Sequence, residues 1–239
     1  MKIRILHTND LHGKLTQELA IKIASLRQEG DFYFDSGDCI AAGNLAIPLK
    51  PEKAWSLLNL AHCDAGTIGN RETHINKLAF AKKIEGVSHP IVCCNLIDAK
   101  TKELVFPASI VLEKAGFRAG IIGVSVPMVT ERMITKNASA YLWTPPIPAL
   151  TTEVERLKPT VDAVFVLSHL GHQTDVQLAS IPGIDVIFGG HSHTVIESPE
   201  QVGNTWIVQG GSHARFLGEY EFDTETKKLT GWLTLLKTI

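Results

Sequence analysis

Short apolar stretches alternate along the chain with segments in which apolar residues recur every three or four positions. The short stretches are rich in β-branched and aromatic residues, which is typical of buried strands. Such strands are predicted at residues 3–6, 32–34, 65–68, 163–167, 184–188 and 206–208. Helical periodicity predicts helices at residues 19–26, 51–58, 75–84 and 147–157. This alternation predicts an α/β fold.

Two further pairs of apolar runs are typical of antiparallel hairpins. The predicted pairs are residues 110–112 with 120–124, and residues 216–222 with 229–235. Residues 125–146 form the longest irregular stretch, which is either a loop over a site or a plain connection. No repeat or linker divides the chain, so we expect a single domain over residues 1–239.

The composition fits an ordinary globular protein and excludes a strongly basic surface. Hydrophobic residues make up 44% of the 239 positions, and 23 Lys and Arg against 25 Asp and Glu give a net charge of -2. We therefore expect no stable nucleic-acid partner and no membrane partner, and any bound anion needs a local site. Four cysteines without a CxxC pair, no apolar run that could span a membrane and no signal-peptide pattern together predict a cytoplasmic protein.

Polar residues suited to metal binding follow five of the predicted strands. They are Asp10 and His12, Asp38, Asn70, His169, and His191 and His193. Each residue alone has a common structural explanation, because Asp and Asn cap helices or form turns and a single His is often part of a core. Five such coincidences favour a metal site instead, since the carboxyl ends of parallel strands lie along one edge of a sheet.

Seven donors exceed the four protein ligands of an ordinary zinc site. A pair of divalent metal ions that share one carboxylate uses all seven donors, and Asp38 is the natural bridge. Two such ions, two carboxylates and a bridging hydroxide leave about one positive charge, which favours an anionic substrate such as a phosphate ester. Mixed His, Asp and Asn ligation suits Mn, Fe and Zn equally well.

The motifs stand in the order DxH, GD, GN, H and GHxH between residues 5 and 194. This order resembles that of the calcineurin-like metallophosphoesterases. The segments ILHTNDLHG, LSHLGH and GGHSHT are similar to the branch with 5'-nucleotidases and 2',3'-cyclic-nucleotide phosphodiesterases. The resemblance implies a four-layer α/β/β/α sandwich of two mixed sheets flanked by helices. It also implies a hydrolase that cleaves a phosphomonoester or phosphodiester with a metal-bridging hydroxide.

The resemblance further implies two sets of metal ligands. One set is Asp10, His12, Asp38 and His193, and the other is Asp38, Asn70, His169 and His191. The expected partner is a small phosphorylated substrate, with a nucleotide as one candidate.

The segment GNRETH at residues 69–74 departs from the family pattern, which places a catalytic His after the metal-binding Asn. Arg71 stands at that position, and a guanidinium, which does not lose its proton near neutral pH, cannot act as a proton donor there. In one interpretation Arg71 binds the phosphate and His74, one helical turn away, donates the proton. In a second, the leaving group is acidic enough to need no donor. In a third, hydrolysis is impaired and the site mainly binds metal and phosphate.

Two other residues are candidates for substrate binding. Asn95 follows the apolar run 91–94 and His213 lies in the segment VQGGSHARFLG, although a turn for Asn95 and an exposed position for His213 explain them equally well. Residues 195–239 are too few for the C-terminal nucleoside-binding domain of the 5'-nucleotidases, so we expect none. The substrate is then smaller, or a second subunit completes the pocket in a homodimer.

Two other functions compete with a phosphoesterase. Metal-dependent amidohydrolases also use HxH and Asp ligands, but they carry HxH on the first strand of a barrel of about 250 residues, whereas HSH belongs to the last motif here. A non-catalytic module that binds metal or phosphate is the alternative that Arg71 suggests. Release of phosphate distinguishes such a module from an enzyme.

Overall fold

Two mixed β-sheets pack face to face in the computed structural model, which describes residues 1–237. The strands are β1 (Lys2–Thr8), β2 (Phe32–Asp35), β3 (Ala65–Gly66), β4 (Leu96–Asp98), β5 (Ser109–Lys114), β6 (Phe117–Ser125), β7 (Tyr141–Trp143), β8 (Ala163–His169), β9 (Val186–Gly189), β10 (Glu200–Val202), β11 (Thr205–Val208), β12 (Phe216–Asp223) and β13 (Leu229–Leu235). The α-helices are α1 (Gln17–Leu26), α2 (Lys53–Leu60), α3 (Lys77–Lys83), α4 (Pro146–Leu157) and α5 (His172–Leu178).

The two sheets share a plan of parallel central strands with antiparallel strands added. The first sheet has the order β13-β12-β1-β2-β3, and in it β1, β2 and β3 run parallel. The second has the order β10-β11-β9-β8-β6-β5, with β11, β9, β8 and β6 parallel and an antiparallel strand at each edge. Both predicted hairpins, β5–β6 and β12–β13, are thereby confirmed.

Aromatic side chains from both sheets fill the space between them. The ring of Phe34 in the first sheet lies 6.3 Å from that of Phe165 and 5.5 Å from that of Phe188, both in the second. Phe165 also lies 5.3 Å from Phe222, edge to face. All four rings are fully buried. Burial of these large apolar surfaces holds the sheets together and thus fixes where their strand ends meet.

Helices bury their apolar faces on the outer side of each sheet. Helices α1 and α2 place Ile23 and Trp55 in a cluster against the first sheet. Helices α4 and α5 place Val154 and Leu178 in a separate cluster against the second. The expected four-layer α/β/β/α sandwich is confirmed.

Some elements differ from the sequence predictions. The strand expected at residues 65–68 has only two residues, and β4, β10 and α5 had no clear periodic signal. Residues 125–146 contain β7, which pairs with β4, and Val129 and Trp143 of this stretch are buried in the cluster on the first sheet. Parts of the stretch are therefore packed against the first sheet.

All four cysteines are buried and have free thiols. Of the helices in residues 1–237, none is both long and apolar enough to cross a membrane.

Removal of an inner-layer ring tests the packing between the sheets. We expect Phe165→Ala to lower the free energy of unfolding by about 3–5 kcal/mol, because it leaves a cavity between the sheets. Urea denaturation, carried out after a chelator has removed any bound metal, measures this loss. Trp232→Ala is the control, since that ring is 62% exposed and its removal should cost far less. Equal losses for the two variants would contradict the packing.

Candidate metal centre

The seven donors predicted from the sequence lie at the carboxyl ends of strands from both sheets. Asp10, His12, Asp38 and Asn70 follow strands of the first sheet, while His169, His191 and His193 lie at strand ends of the second. The expectation that they share one sheet edge is wrong, because the chain divides its parallel strands between two sheets. The edges nevertheless meet, because the sheets are packed face to face.

Five of the seven residues have a left-handed backbone conformation. They are Asp10 (φ 50°), His12 (φ 49°), Asp38 (φ 53°), His191 (φ 70°) and His193 (φ 55°). Residues with a Cβ adopt this conformation rarely and at a cost, so a cluster of them is typical of a functional site. Here the chain turns sharply after β1, β2 and β9, where these residues lie.

Ser36, which directly follows β2, connects the two sheets. The Oγ of Ser36 donates to the carbonyl of Phe188 at 2.7 Å, and the Nδ1 of His169 donates to the carbonyl of Ser36 at 2.7 Å. A Cβ at Gly190 would lie 3.0 Å from that same carbonyl, which explains a glycine there. These contacts hold the second sheet's histidines beside the first sheet's carboxylates.

One group of donors consists of Asp10, His12 and His193, whose ligand atoms all lie within 4.8 Å of one another. The Nε2 atoms of the two histidines are 2.9 Å apart and lie 3.8 and 3.3 Å from Oδ1 of Asp10. This Oδ1 atom is buried and has no hydrogen-bond partner among the described residues. Two ring nitrogens and a carboxylate that point at one another suit a shared cation.

A second group consists of Asp10, Asp38 and His169. Because Nδ1 of His169 donates to Ser36, its Nε2 atom faces the carboxylates, 3.5 Å from Oδ1 of Asp38, and it forms no hydrogen bond among the described residues. The carboxylate common to both groups is Asp10. The assignment of Asp38 as the bridge stays a prediction.

Asn70 and His191 lie beside these groups. The Nδ2 of Asn70 donates to Asn44, which leaves its buried Oδ1 without a partner among the described residues and available as a ligand. The ring of His191 lies 5.1 Å from that of His169, and its backbone N–H donates to Oδ2 of Asp10. The exposed His191 ring falls outside both groups, although its backbone is part of the centre.

Charges within the centre favour a cation. Burial alone would lower the pKa of His169, but the carboxylates of Asp38 and Asp10 outweigh it and raise the pKa to about 9. Burial, with Arg71 nearby, lowers the pKa of His12 to about 4, so this ring is neutral near pH 7 and can bind a metal. The buried carboxylates therefore attract positive charge into a set of nitrogen and oxygen ligands.

Glu72, which sequence reasoning missed, holds two donor loops together from within the core. Its buried carboxylate accepts hydrogen bonds from the backbone N–H groups of Asp38 (2.9 Å), Cys39 (2.9 Å) and Gly69 (2.7 Å). A Cβ at Gly69 would lie only 2.1 Å from Oδ1 of Asp38, so this approach requires glycine. Glu72 thus positions Asp38 beside the Asn70 turn.

Lys83 at the end of α3 supports the same turn from the other side. Its buried ammonium group contacts the carbonyl oxygens of Arg71 (2.6 Å), Thr73 (3.0 Å), Gly43 (2.8 Å) and Asn44 (2.9 Å). Burial lowers the pKa of this group to about 8, so it remains largely charged at pH 7. One buried cation therefore fixes the backbone on both sides of the Asn70–Asn44 contact.

His213 lies beside the first group of donors. Its backbone N–H donates to the carbonyl of Asp10 at 2.7 Å, and its ring centroid is 4.7 Å from that of His12. The side chain of Asn9 bonds to the backbone of Gly210 and Gly211 and holds this segment in place. The position agrees with the predicted substrate contact of His213, which stays a prediction.

Arg71 lies at the centre, whereas His74 does not contact it. The Nε of Arg71 is 3.7 Å from Oδ2 of Asp38, and its side chain is 30% exposed. Residues 71–74 form a turn rather than a helix, since α3 begins at Lys77, so the expectation that Arg71 and His74 share a helical face is wrong. The ring of His74 accepts a hydrogen bond from the N–H of Asn76, and no described hydrogen bond or ion pair joins it to a metal-ligand candidate.

Asn95, a candidate for substrate binding, lies inside the fold, and its role stays a prediction. It is fully buried. Its Nδ2 donates to the carbonyl of Ser125 at 2.8 Å, and its Oδ1 accepts from the N–H of the same residue at 3.0 Å. Both ends of the amide are thus engaged by the end of β6.

The chain is similar to known proteins over most of its length. The family model for the calcineurin-like phosphoesterase matches residues 3–195. The 5'-nucleotidase of Vibrio vulnificus is 26% identical over an alignment 270 residues long, gaps included. The alignment covers 92% of this chain and 49% of that protein. The uncharacterized metallophosphoesterase YunD of Bacillus subtilis is 25% identical over 238 residues, which cover 94% of this chain and 51% of that protein. The chain thus spans about half the length of these curated relatives.

Solved structures share the fold. The 5'-nucleotidase precursor from Thermus thermophilus matches with a TM-score of 0.81 and 22% identity, over 98% of this chain and 54% of that chain. The calcineurin-like phosphoesterase YfkN from Bacillus subtilis matches with a TM-score of 0.76 and 19% identity, over 98% of this chain and 91% of that chain. At these identities the likeness supports the architecture alone.

Replacement of the buried lysine tests how the Asn70 turn is held. We expect Lys83→Met to lower the free energy of unfolding by about 1.5–3 kcal/mol, since it leaves carbonyl groups without their charged donor. We also expect metal affinity to fall about 10–100-fold, as for other supports of a metal ligand. Urea denaturation and competition with a metal-binding dye measure the two effects.

The adjacent lysine provides a matched control. Lys82 is exposed and forms an ion pair with Glu85, so Lys82→Met should change stability by no more than about 0.5 kcal/mol. Wild-type metal affinity in the Lys83→Met variant would show that the turn needs no such support.

Proposed function

We propose, because the chain belongs to the calcineurin-like phosphoesterase family, that it is a hydrolase that cleaves phosphate esters at a pair of divalent cations. The observation that carries the proposal is the convergence of strand-end donors from two sheets on buried ligand atoms that lack hydrogen-bond partners among the described residues. Such atoms are costly to bury unless a ligand engages them.

The residues proposed to hold the two cations divide into two overlapping sets. One set is Asp10, His12, Asp38 and His193, and the other is Asp38, Asn70, His169 and His191. The unpartnered Oδ1 of Asp10, Oδ1 of Asn70 and Nε2 of His169 support this division, because each is an atom that a divalent metal prefers. When bound, Mn, Fe or Zn ions would lower the pKa of water and offset charge on the phosphoryl oxygens.

Arg71 is proposed to bind the phosphoryl group. Its guanidinium lies next to Asp38, while its backbone is held at both ends: its N–H donates to Oδ1 of Asp38 and its carbonyl accepts from Lys83. A planar guanidinium can bind two phosphoryl oxygens at once and stabilise the charge that grows on them. Arg71 can therefore perform the electrostatic part of the role that the family gives to His, without the proton transfer.

A leaving group that departs without a proton from the protein fits this arrangement. The ring of His74 is engaged with Asn76 and has no described contact with the centre. Burial, followed by the nearby charge of Lys83, lowers its pKa, which makes the protonated form scarcer at neutral pH. We therefore favour phosphate esters with acidic leaving groups. A nucleotide, whose ribose alcohol is a poor leaving group, is a separate candidate that rests on relatives such as the Vibrio protein, which are named 5'-nucleotidases.

The weaker alternative is a non-catalytic module that binds metal or phosphate. In such a module Arg71 would bind the phosphate beside the metal donors. Two narrower expectations stay predictions. The free, buried thiols of Cys39, Cys63, Cys93 and Cys94 support a reducing, cytoplasmic location. The second of these predictions is a homodimer in which the other subunit completes the pocket.

Metal removal and reconstitution test the proposed pair of cations. After EDTA treatment and dialysis against Mn²⁺ or Zn²⁺, we expect elemental analysis to find about two ions per chain. Phosphatase activity and the melting temperature should rise with the bound metal. Asp38→Ala should lower both the metal count and the gain in stability. Asp162→Ala, which removes a carboxylate near the opposite strand ends, should keep both. A single ion per chain in the unaltered protein would refute a dinuclear centre.

Variants of the GNRETH segment separate phosphate binding from proton donation. On 4-nitrophenyl phosphate and on an alkyl phosphate, Arg71→Ala should lower kcat/KM by about 10²–10³-fold, the loss typical of one electrostatic contact to the transition state. His74→Ala should leave both rates unchanged. A fall of about 10²–10⁴-fold confined to the alkyl phosphate would instead establish His74 as the proton donor. Bound metal without phosphate release from either substrate would favour the non-catalytic module.

A further inference from the structure

A cavity of about 500 Å³ adjoins the candidate metal centre. His193 and His213 form the wall that it shares with the centre, and the ring of His213 lies 6.0 Å from that of His193. Lys14, Arg215 and Lys237 provide three cationic groups around the rest of the cavity. A molecule bound at the centre can therefore extend directly into a basic enclosure.

The fold gathers these three cations from separate parts of the chain. Lys14 follows His12 in the loop after β1. Strand β12 runs antiparallel to β1, so that Arg215, just before β12, lies near the carboxyl end of β1. In the hairpin Phe216 pairs with Leu235, and the N–H of Leu236 donates to the carbonyl of Arg215, which brings Lys237 to the same end.

Positive charge in this cavity is not balanced by the residues that line it. None of the described lining residues is an Asp or a Glu, and none of the three basic side chains forms an ion pair with another described residue. Burial, followed by the nearby charge of Lys14, lowers the pKa of Lys237. An anion in the cavity would relieve this mutual repulsion.

The floor of the cavity is apolar. Phe216 and Val195 line it, and the guanidinium of Arg215 lies over the Phe216 ring, 4.9 Å from its centroid. This contact restricts the guanidinium and leaves its edge free for a bidentate anion such as a phosphate. Low polarity beneath the cations strengthens their attraction for an anion.

We propose that this cavity binds a second anionic group of the substrate, carried on the leaving group of the ester cleaved at the centre. The proposal rests on the proposed function, because it places the reacting phosphate beside His193. The substrate class is then a phosphate ester whose alcohol portion bears a further phosphate or phosphonate group. Contact of the alcohol portion with Phe216 and Val195 favours an apolar or aromatic connection between the two anions.

A pair of synthetic substrates with a single cleavable ester tests the proposal. The pair is 4-(phosphonomethyl)phenyl phosphate and 4-methylphenyl phosphate, which differ by a phosphonate that the enzyme cannot hydrolyse. We expect kcat/KM for the phosphonate compound to exceed that for the methyl compound by about 10-fold or more, the equivalent of one charged hydrogen bond. The measurement is made with the metal-loaded protein over a range of salt concentrations, since screening should reduce the preference.

Variants locate the preference in the cavity. Arg215→Met, and Lys14→Met combined with Lys237→Met, should bring the ratio of the two kcat/KM values towards one. Lys100→Met is the matched control, because it removes an exposed cation that does not line the cavity and should preserve the ratio. A ratio near one in the unaltered protein would overturn the proposal while leaving the proposed function intact.

Binding provides a readout that does not require turnover. Isothermal titration compares 1,4-xylylene bisphosphonate with benzylphosphonate, neither of which has a cleavable ester. The bisphosphonate should bind about 10-fold more tightly, and Arg215→Met should remove the difference. Equal affinities would overturn the second anion site. Absence of phosphate release from every ester, with the preference for the bisphosphonate preserved, would instead refute the proposed function alone.

Discussion

The hydrogen bonds of Ser36 connect the two sheets at the point where the donors meet. Its Oγ donates to the carbonyl of Phe188, its carbonyl accepts from Nδ1 of His169, and its Oγ accepts from Nε2 of His7. Burial lowers the pKa of His7 to about 3, so this ring stays neutral and can keep its role as a single donor. One loop of the first sheet thus forms hydrogen bonds with two strands of the second. The separation between the carboxylates and the histidines is therefore fixed before any ligand binds.

This connection has a cost that only a ligand can offset. The ring of His169, held by Ser36, must present its other nitrogen to Asp38, and Asp10 keeps one oxygen unpartnered among the described residues. The left-handed backbones of the donor loops add further strain. The buried side chains of Glu72 and Lys83 oppose any relaxation, because each engages several backbone groups of the loops around the centre. The fold thus loses some stability by holding its donors in place before a ligand binds. Sites that are preorganised in this way bind metal ions or charged transition states tightly.

The sequence predicted the candidate ligands that follow a recognisable strand pattern. It did not predict contacts that depend on how distant segments pack together. Asp10, Asp38 and His169 each follow a recognisable strand, and parallel strands place such ends together, so their convergence could be predicted even though two sheets rather than one bring it about. Glu72 and Lys83 carry no such signal, because a buried charge that binds backbone groups is identical in sequence to a surface residue. The helical turn expected between Arg71 and His74 is absent for the same reason, because residue spacing alone does not show where α3 begins.

The cavity and Arg71 together shift the catalytic demand from proton transfer to charge. An imidazole in place of Arg71 could protonate the departing oxygen, whereas a guanidinium can only stabilise negative charge. A leaving group drawn towards Lys14 and Arg215 would develop its charge in a positive potential, and its departure would depend less on a proton. The substitution at Arg71 and the basic lining of the cavity are then one adaptation, in which the energy of binding a second anion assists the cleavage that a missing acid would otherwise drive.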